Sequence, residues 1–205
     1  MTVDPGSARQ QDVYKIMIGA IVPRPIALVS TLSVEGVRNL APFSFFTAIS
    51  SKPPLICFCP GPRSEPGPRK DTLLNISQTK EFVVNVVSEE IAEAMNLTSG
   101  EYPPEVDEFE LAGLTPAASG LVKPPRVAES HVSMECKLAL AIEFSQDPGG
   151  GNLIVGEVLR FHLDQRIIGE NLRIDPDKLR AIGRMGGPTA YTRTRDRFDM
   201  VRPKL

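Results

Sequence analysis

A mainly β fold with peripheral helices, closed as a barrel or packed as a sandwich, is what this sequence predicts, and three observations carry that reading. Roughly seven short apolar runs rich in β-branched and aromatic residues punctuate the chain. Nineteen prolines are spread through the 205 residues, many of them between those runs, where they act as turns and stops. Helical periodicity is confined to short stretches, so the strand–helix alternation of a doubly wound parallel sheet is missing.

The elements follow in order. Asp12 to Ile18 reads as a short helix or a turn into the first strand. Pro23-Arg24-Pro25 stops any helix, because proline lacks an amide donor and restrains the residue before it. Ile26 to Leu32 is a β-rich run, Val34-Glu35-Gly36 is a turn, and Val37 to Leu40 returns antiparallel. Phe43 to Ile49 is a further strand, and Pro53-Pro54 separates it from a strand at Leu55 to Cys59. Pro60 to Arg69 is a proline-rich loop. Asp71 to Gln78 suits a helix with Asp71 as its N-cap, and Phe82 to Val87 is a buried strand. Glu89 to Leu97 is helical, with Ile91 and Met95 on one face. Tyr102 to Pro125 is irregular apart from a short helix at Val106 to Ala112. Two long strands, His131 to Phe144 and Leu153 to Leu163, flank the turn Asp147-Pro148-Gly149-Gly150-Gly151-Asn152. Asp175 to Ile182 contains a helical turn with Pro176 at its first position. Gly183 to Leu205 is a polar tail.

Composition and missing motifs narrow the chemistry. The net charge of -2 and the three tyrosines supply neither the field nor the aromatic platforms of a nucleic-acid binder. No apolar stretch reaches the length of a membrane span, and Met1 to Gln11 lacks the apolar core of a signal peptide. With three cysteines that cannot all pair, a reducing, cytoplasmic setting is expected. Phosphate-cradling G-x-x-x-x-G-K-[ST], dinucleotide G-x-G-x-x-G and nucleophile-elbow G-x-S-x-G patterns are all missing. The only histidines, His131 and His162, share no metal-ligand spacing with a cysteine pair, so no metal site is expected. The same scarcity of axial ligands disfavours haem. Cys57 and Cys59, two apart on one strand, read as small buried hydrophobes.

Three segments could hold a ligand. Arg24-Pro25-Ile26-Ala27-Leu28-Val29-Ser30-Thr31 ends an apolar strand in two hydroxyls. Asn39-Leu40-Ala41-Pro42-Phe43-Ser44-Phe45-Phe46 combines an amide, a proline and alternating Ser and Phe. Such a wall suits a flat heteroaromatic ligand, which needs apolar faces and a few fixed polar groups at its edge. Arg69-Lys70-Asp71-Thr72-Leu73-Leu74-Asn75-Ile76 puts basic residues beside the amides of a helix start, a combination that receives phosphate. Taken alone, the first reads as an ordinary strand end and the third as a capped surface helix, and at least one phenylalanine of the second belongs to the core.

Taken in order, "RPIALVST", "NLAPFSFF", "RKDTLLNI" and "EFVVNVV" resemble the flavin-reductase-like FMN-binding split β-barrel family. The resemblance runs from about Tyr14 to Leu163 and continues loosely into "IGRMGG" and Tyr191. It implies one domain over 1–205, a Greek-key split barrel with a core at about 12–165, and a C-terminal extension at 166–205 packing on or over the site. It also implies a homodimer with FMN near the interface. By position, Lys70, Asp71 and Thr72 match the segment holding the FMN phosphate, and Ser30 and Thr31 match residues near the ring and ribityl chain. Asn39, Ala41, Pro42, Ser44 and Phe45 match the strand edge lining the isoalloxazine. Arg24 and Asn75 are secondary candidates, and Arg184, Gly186 and Tyr191 would close over the flavin from the tail.

The implied activity is an FMN-dependent oxidoreductase using NAD(P)H or another small-molecule donor. The alternative is an FMN-binding electron carrier or flavin store with no pyridine-nucleotide site. One departure bears on that choice: where many flavin reductases of this family carry Gly-Asp-His, this chain has Gly149-Gly150-Gly151. Hydride transfer to a flavin needs no obligatory protein acid or base, and no residue is assigned a catalytic role.

Overall fold

A computed structural model describes residues 1–61, 70–145, 147 and 149–203. From residue 62 onward the expected Pro60 to Arg69 loop therefore lies outside the described residues, as do Gln146 and Pro148 beside the expected glycine-rich turn. The chain opens with helix α1 (Gln10–Ala20), longer at both ends than the sequence suggested. Strands β1 (Ala27–Leu32), β2 (Arg38–Phe43), β3 (Phe46–Ser51) and β4 (Pro54–Phe58) follow. After helix α2 (Asp71–Thr79) come β5 (Glu81–Val86), a 3-10 turn at Glu89–Ile91, α3 (Ala92–Leu97) and α4 (Glu108–Ala112). The remainder comprises β6 (Pro116–Ala117), β7 (Arg126–Val127), the long pair β8 (Val132–Glu143) and β9 (Asn152–Leu163), α5 (Pro176–Leu179), β10 (Ile182–Arg184) and β11 (Tyr191–Arg193).

Three boundaries differ from the sequence reading for physical reasons. β2 runs through Pro42 to Phe43, because β2 is an edge strand and a missing amide donor is tolerated there. β3 accordingly starts at Phe46, after the chain turns at Ser44 and Phe45. Asp71 is not the N-cap of α2: Lys70 occupies that position with extended backbone and without a side-chain capping bond, and Asp71 is the first helical residue. The tail, expected as a polar extension, holds the β10–β11 hairpin. At α5 the expectation matches, with Pro176 leading the helix and Asp175 accepting from the amides of Asp177 and Lys178.

The seven main strands form one antiparallel sheet in the order β2-β1-β5-β8-β9-β4-β3. Its two edge strands, β2 and β3, are consecutive in the chain. In a flat sheet, six strand spacings of about 4.8 Å would hold the edges roughly 29 Å apart. The three peptide links from Phe43 to Phe46 reach at most about 11 Å. The sheet must therefore curl until its edges meet, giving a barrel that stays open along the seam between β2 and β3.

Two cores flank the β1–β2 wall, as strand alternation requires. On one face Ala27, Val29 and Phe43 pack with Phe58, Phe82 and, from α2, Leu73 and Ile76. On the other, Leu28 and Leu40 pack with Ile91 and Met95 near α3 and Phe109 of α4. Phe58 stacks edge-on against Phe82 at a centroid distance of 5.6 Å. Gly156 of β9 gives that ring its room: a Cβ there would lie 2.3 Å from the Phe82 ring.

Candidate functional site

Among the described residues no strand pairs with the outer edge of β2, so its backbone and the flanking helices shape a cleft along the seam. Asn39, Ala41, Pro42 and Phe43 of β2 form one wall, Lys70, Asp71 and Thr72 at the start of α2 a second. Thr98 to Tyr102 after α3, together with Glu108 of α4, form the third. This part of the cleft is tight, about 40 Å³. A second cavity of about 360 Å³ shares Pro42 and Ser99 with it and continues past Ser44 to Asn96, Arg184, Pro188 and Tyr191.

At the tight end, Lys70 is half-buried where the backbone enters α2. The amides of Leu73 and Leu74 both bond the Lys70 carbonyl, whereas those of Asp71 and Thr72 lie in the first turn, where a helix supplies no acceptor. A cation beside first-turn amides is a donor set that fits a phosphate. The adjoining Ala41, Pro42 and Phe43 offer the apolar contact that a flat ring system takes. The donor chemistry of the cleft thus fits a phosphorylated heteroaromatic coenzyme.

Behind this wall lies a buried polar network. Thr31 is fully buried and its hydroxyl donates to Asn39 Oδ1 at 3.3 Å. Thr72 donates to the same oxygen at 2.8 Å, and Asn75 Nδ2 donates to Thr31 Oγ1 at 3.0 Å. Asn39 Nδ2 in turn donates to Glu108 Oε1 at 2.9 Å. The other Glu108 oxygen accepts the outward-pointing Leu40 amide at 2.9 Å, satisfying the sheet edge. Burial raises the pKa of Glu108 above the usual carboxylate range, and the Leu40 amide and Asn39 pull against that rise.

Of the residues singled out in the sequence, Asn39, Ala41, Pro42, Lys70, Asp71, Thr72 and Ser44 meet along this cleft. Thr31 and Asn75 stand behind it as supports of Asn39. Ser30 points the other way, fully buried, and donates to the Pro125 carbonyl at 2.5 Å. Arg24 is also buried, and its guanidinium holds the carbonyls of Ile18 at 2.6 Å and Ile21 at 2.8 Å, at the end of α1. It reaches the Met185 carbonyl at 3.1 Å and lies 5.9 Å from the Phe45 ring centroid. Arg24 therefore fastens the tail and the end of α1 to the barrel. Gly186 belongs to the same junction, where a Cβ would come within 3.0 Å of the Gly19 backbone. Arg184 and Tyr191 do line the wider cavity, with the guanidinium 4.7 Å from the ring centroid.

Glu108 and the run Thr98 to Tyr102 also line the cleft, and no motif in the sequence marks them. Glu108 looks like an exposed acid on a short helix, and only its spacing after Asp107, which caps that helix, hints at an inward turn. The histidines lie elsewhere: His131 Nδ1 is 3.0 Å from Asp164, and His162 Nε2 is 2.5 Å from Glu135. Cys57, Cys59 and Cys136 are free, and burial raises the pKa of each, which disfavours a reactive thiolate. Among the described residues no group of three His, Cys, Asp or Glu side chains could hold a metal ion, and no helix is long and apolar enough to cross a membrane.

Residues 18–184 match the family model for the flavin reductase like domain. An uncharacterised protein of Aquifex aeolicus is 46% identical over 85% of this chain and 87% of its own length. The crystal structure of nitrilotriacetate monooxygenase component B from Bacillus cereus superposes with a TM-score of 0.91 at 36% identity, covering 98% of each chain. That of the 2-nitrobenzoate 2-nitroreductase NbaA from Pseudomonas fluorescens superposes with a TM-score of 0.87 at 33% identity, covering 99% of this chain and 96% of that one.

Proposed function

The chain belongs to the flavin reductase like domain family, and from that premise we propose that it is an FMN-dependent oxidoreductase accepting electrons from NAD(P)H or another small-molecule donor. The observation that carries this reading is the seam cleft, where a lysine and first-turn helix amides stand at one end of an apolar strand edge. Lys70 and the amides of Asp71 and Thr72 would hold the phosphate, and Ala41, Pro42 and Ser44 would border the ring. When bound, FMN supplies the redox chemistry by accepting a hydride or passing electrons on. The protein's own share is to bind and orient the coenzyme, and to exclude water from the side walled by Thr98 to Tyr102. Arg184 and Tyr191 border the wider cavity, where a second reactant would approach. The solved relatives are a monooxygenase component and a nitroreductase, names consistent with flavin chemistry. We place the working form as a homodimer, supported by exposed apolar side chains such as Ile49 of β3 and Leu140 of β8.

The test is reconstitution. Protein mixed with FMN and desalted should stay yellow, and Lys70→Ala should weaken FMN binding about tenfold or more, the scale of a charge-assisted phosphate contact. Protein that emerges colourless after desalting would defeat the reading.

A second reading, an electron carrier or flavin store without a pyridine-nucleotide site, is favoured by the Gly149–Gly151 segment. A Cβ on Gly149 would sit 2.2 Å from the Gln10 side chain, and one on Gly150 would sit 2.4 Å from the Ser145 carbonyl. The Ser145 carbonyl thus bars an acid at Gly150, whereas Gly151, the position the imidazole would take, has open space around it and lacks only the side chain. Steady-state oxidation of NADH and NADPH by the FMN-loaded protein separates the two readings.

A further inference from the structure

We propose that Glu108 is a positioning residue that sets the polarity of the cleft wall, so that Thr72 meets the coenzyme as a hydrogen-bond acceptor for its polyhydroxylated chain and not as a donor to its phosphate. This rests on the flavin reading above and specifies which part of the ligand each residue takes.

The polarity follows from what each group can and cannot do. An ionised carboxylate only accepts, and the Leu40 amide only donates. Glu108 therefore presents an acceptor to Asn39, which must turn its NH₂ toward it, at 2.9 Å. That leaves Asn39 Oδ1 facing the two threonines, and it draws in the hydroxyl hydrogens of Thr31 and Thr72. Asn75 Nδ2 already donates to Thr31 Oγ1, so the direction of Thr31 is fixed from the other side as well. With its hydrogen spent inward, Thr72 has only lone pairs to offer the cleft that it lines. Lone pairs repel a phosphate and receive hydroxyl donors. The ribityl chain of a flavin carries such donors, and the phosphate is left to Lys70 and the backbone amides.

Replacing the carboxylate by a neutral amide reverses the chain. In Glu108→Gln the oxygen stays with the Leu40 amide, which cannot move, and the NH₂ faces Asn39. Asn39 must flip, its NH₂ then confronts both threonines, and the Thr72 hydrogen is expelled toward the ligand. Protonation of Glu108 has the same effect, because the acid's hydrogen would also point at Asn39. Burial raises the pKa of Glu108, so this reversal falls at milder acidity than for an exposed glutamate. Among the described residues the other charges lining the cleft are Lys70, Asp71 and Glu101; Asp107 and Glu110 on the same turn of chain are paired with Arg38.

The experiment measures riboflavin and FMN binding by fluorescence quenching. Riboflavin has the hydroxylated chain without the phosphate, whose second ionisation near pH 6 would otherwise confuse the pH profile. Glu108→Gln is expected to weaken riboflavin about tenfold and Thr72→Val about fivefold, the range of a lost or inverted buried hydrogen bond. Wild-type affinity for riboflavin should fall as pH drops through the raised Glu108 ionisation, and the Glu108→Gln profile should be flat. The wild-type pH profile needs no variant, so it holds even if a substitution disturbs folding. Unchanged riboflavin affinity in Glu108→Gln, or wild type that binds FMN but not riboflavin, overturns the inference and leaves the flavin reading standing. Wild type that binds neither flavin overturns both.

Discussion

At the scale of single residues, the chain's buried charges have different jobs. Glu135 of β8 is fully buried, yet it accepts the amides of Gly120 at 2.9 Å, Leu121 at 2.5 Å and Val122 at 3.0 Å, besides His162. Burial works to raise its pKa, but His162 and the three amides outweigh burial and bring it down to about 2. A carboxylate depressed by folding contributes stability above its unfolded ionisation, and loses it as pH falls through the folded value. The acid limb of a stability–pH curve should therefore fall between about pH 4.5 and about 2, and Glu135→Gln should flatten it. Glu135→Ala, which strands three amides, should cost about 3–5 kcal/mol in chemical denaturation. Residue-level legibility was uneven for the same physical reason. Lys70 and Asn39 could be found because their types match a ligand's needs at a strand edge or helix start. Ser30 and Arg24 looked equally suitable, but whether a side chain faces the cleft or a neighbouring carbonyl is decided by tertiary packing. Glu108 carried almost no signal, since its role depends on a sheet edge sixty-odd residues upstream.

At the scale of elements, alternation explains most of what could be read. β1 puts Ala27 and Val29 on one face and Leu28 on the other, so the β-rich run at Ile26 to Leu32 is a strand buried on both sides. β2 runs past the expected end at Leu40, because a proline in a strand is ordinarily a stop and is tolerated only at an edge. Knowing that β2 is an edge requires the topology, which no local pattern contains. Close approach between elements supplies another prediction. Gly156 of β9 lies under the Phe82 ring, with 2.3 Å left to a Cβ. Gly156→Ala should lower stability by about 1–3 kcal/mol, as overpacking does, measurable by urea unfolding. The same substitution at Gly151, which has open space around it, serves as the control.

At the scale of the whole molecule, one acidic side chain secures the tail. Glu89 accepts from Arg180 at 3.0 Å, from Arg195 at 3.0 Å, and from Arg193, across about a hundred residues of chain. Surface ion pairs are individually weak, so Glu89→Ala should leave global unfolding nearly unchanged. Amide hydrogen exchange in β10 and β11 should quicken about tenfold while β5 and β8 keep their protection. The sequence predicts only a polar extension here, since a short hairpin held by arginines has no apolar period to announce it. The order of strands has a consequence for assembly. Cys57 of β4 pairs with Val155 of β9, so the β3–β4 hairpin has no neighbour on that side until the last long strand has been made. A nascent chain stopping short of residue 152 can zip β1, β2 and β5 together, yet it has nothing on which to hang the hairpin. Closure is a late, long-range event, which places such a topology among slow folders and makes β9 the strand whose arrival turns a curved ribbon into a container.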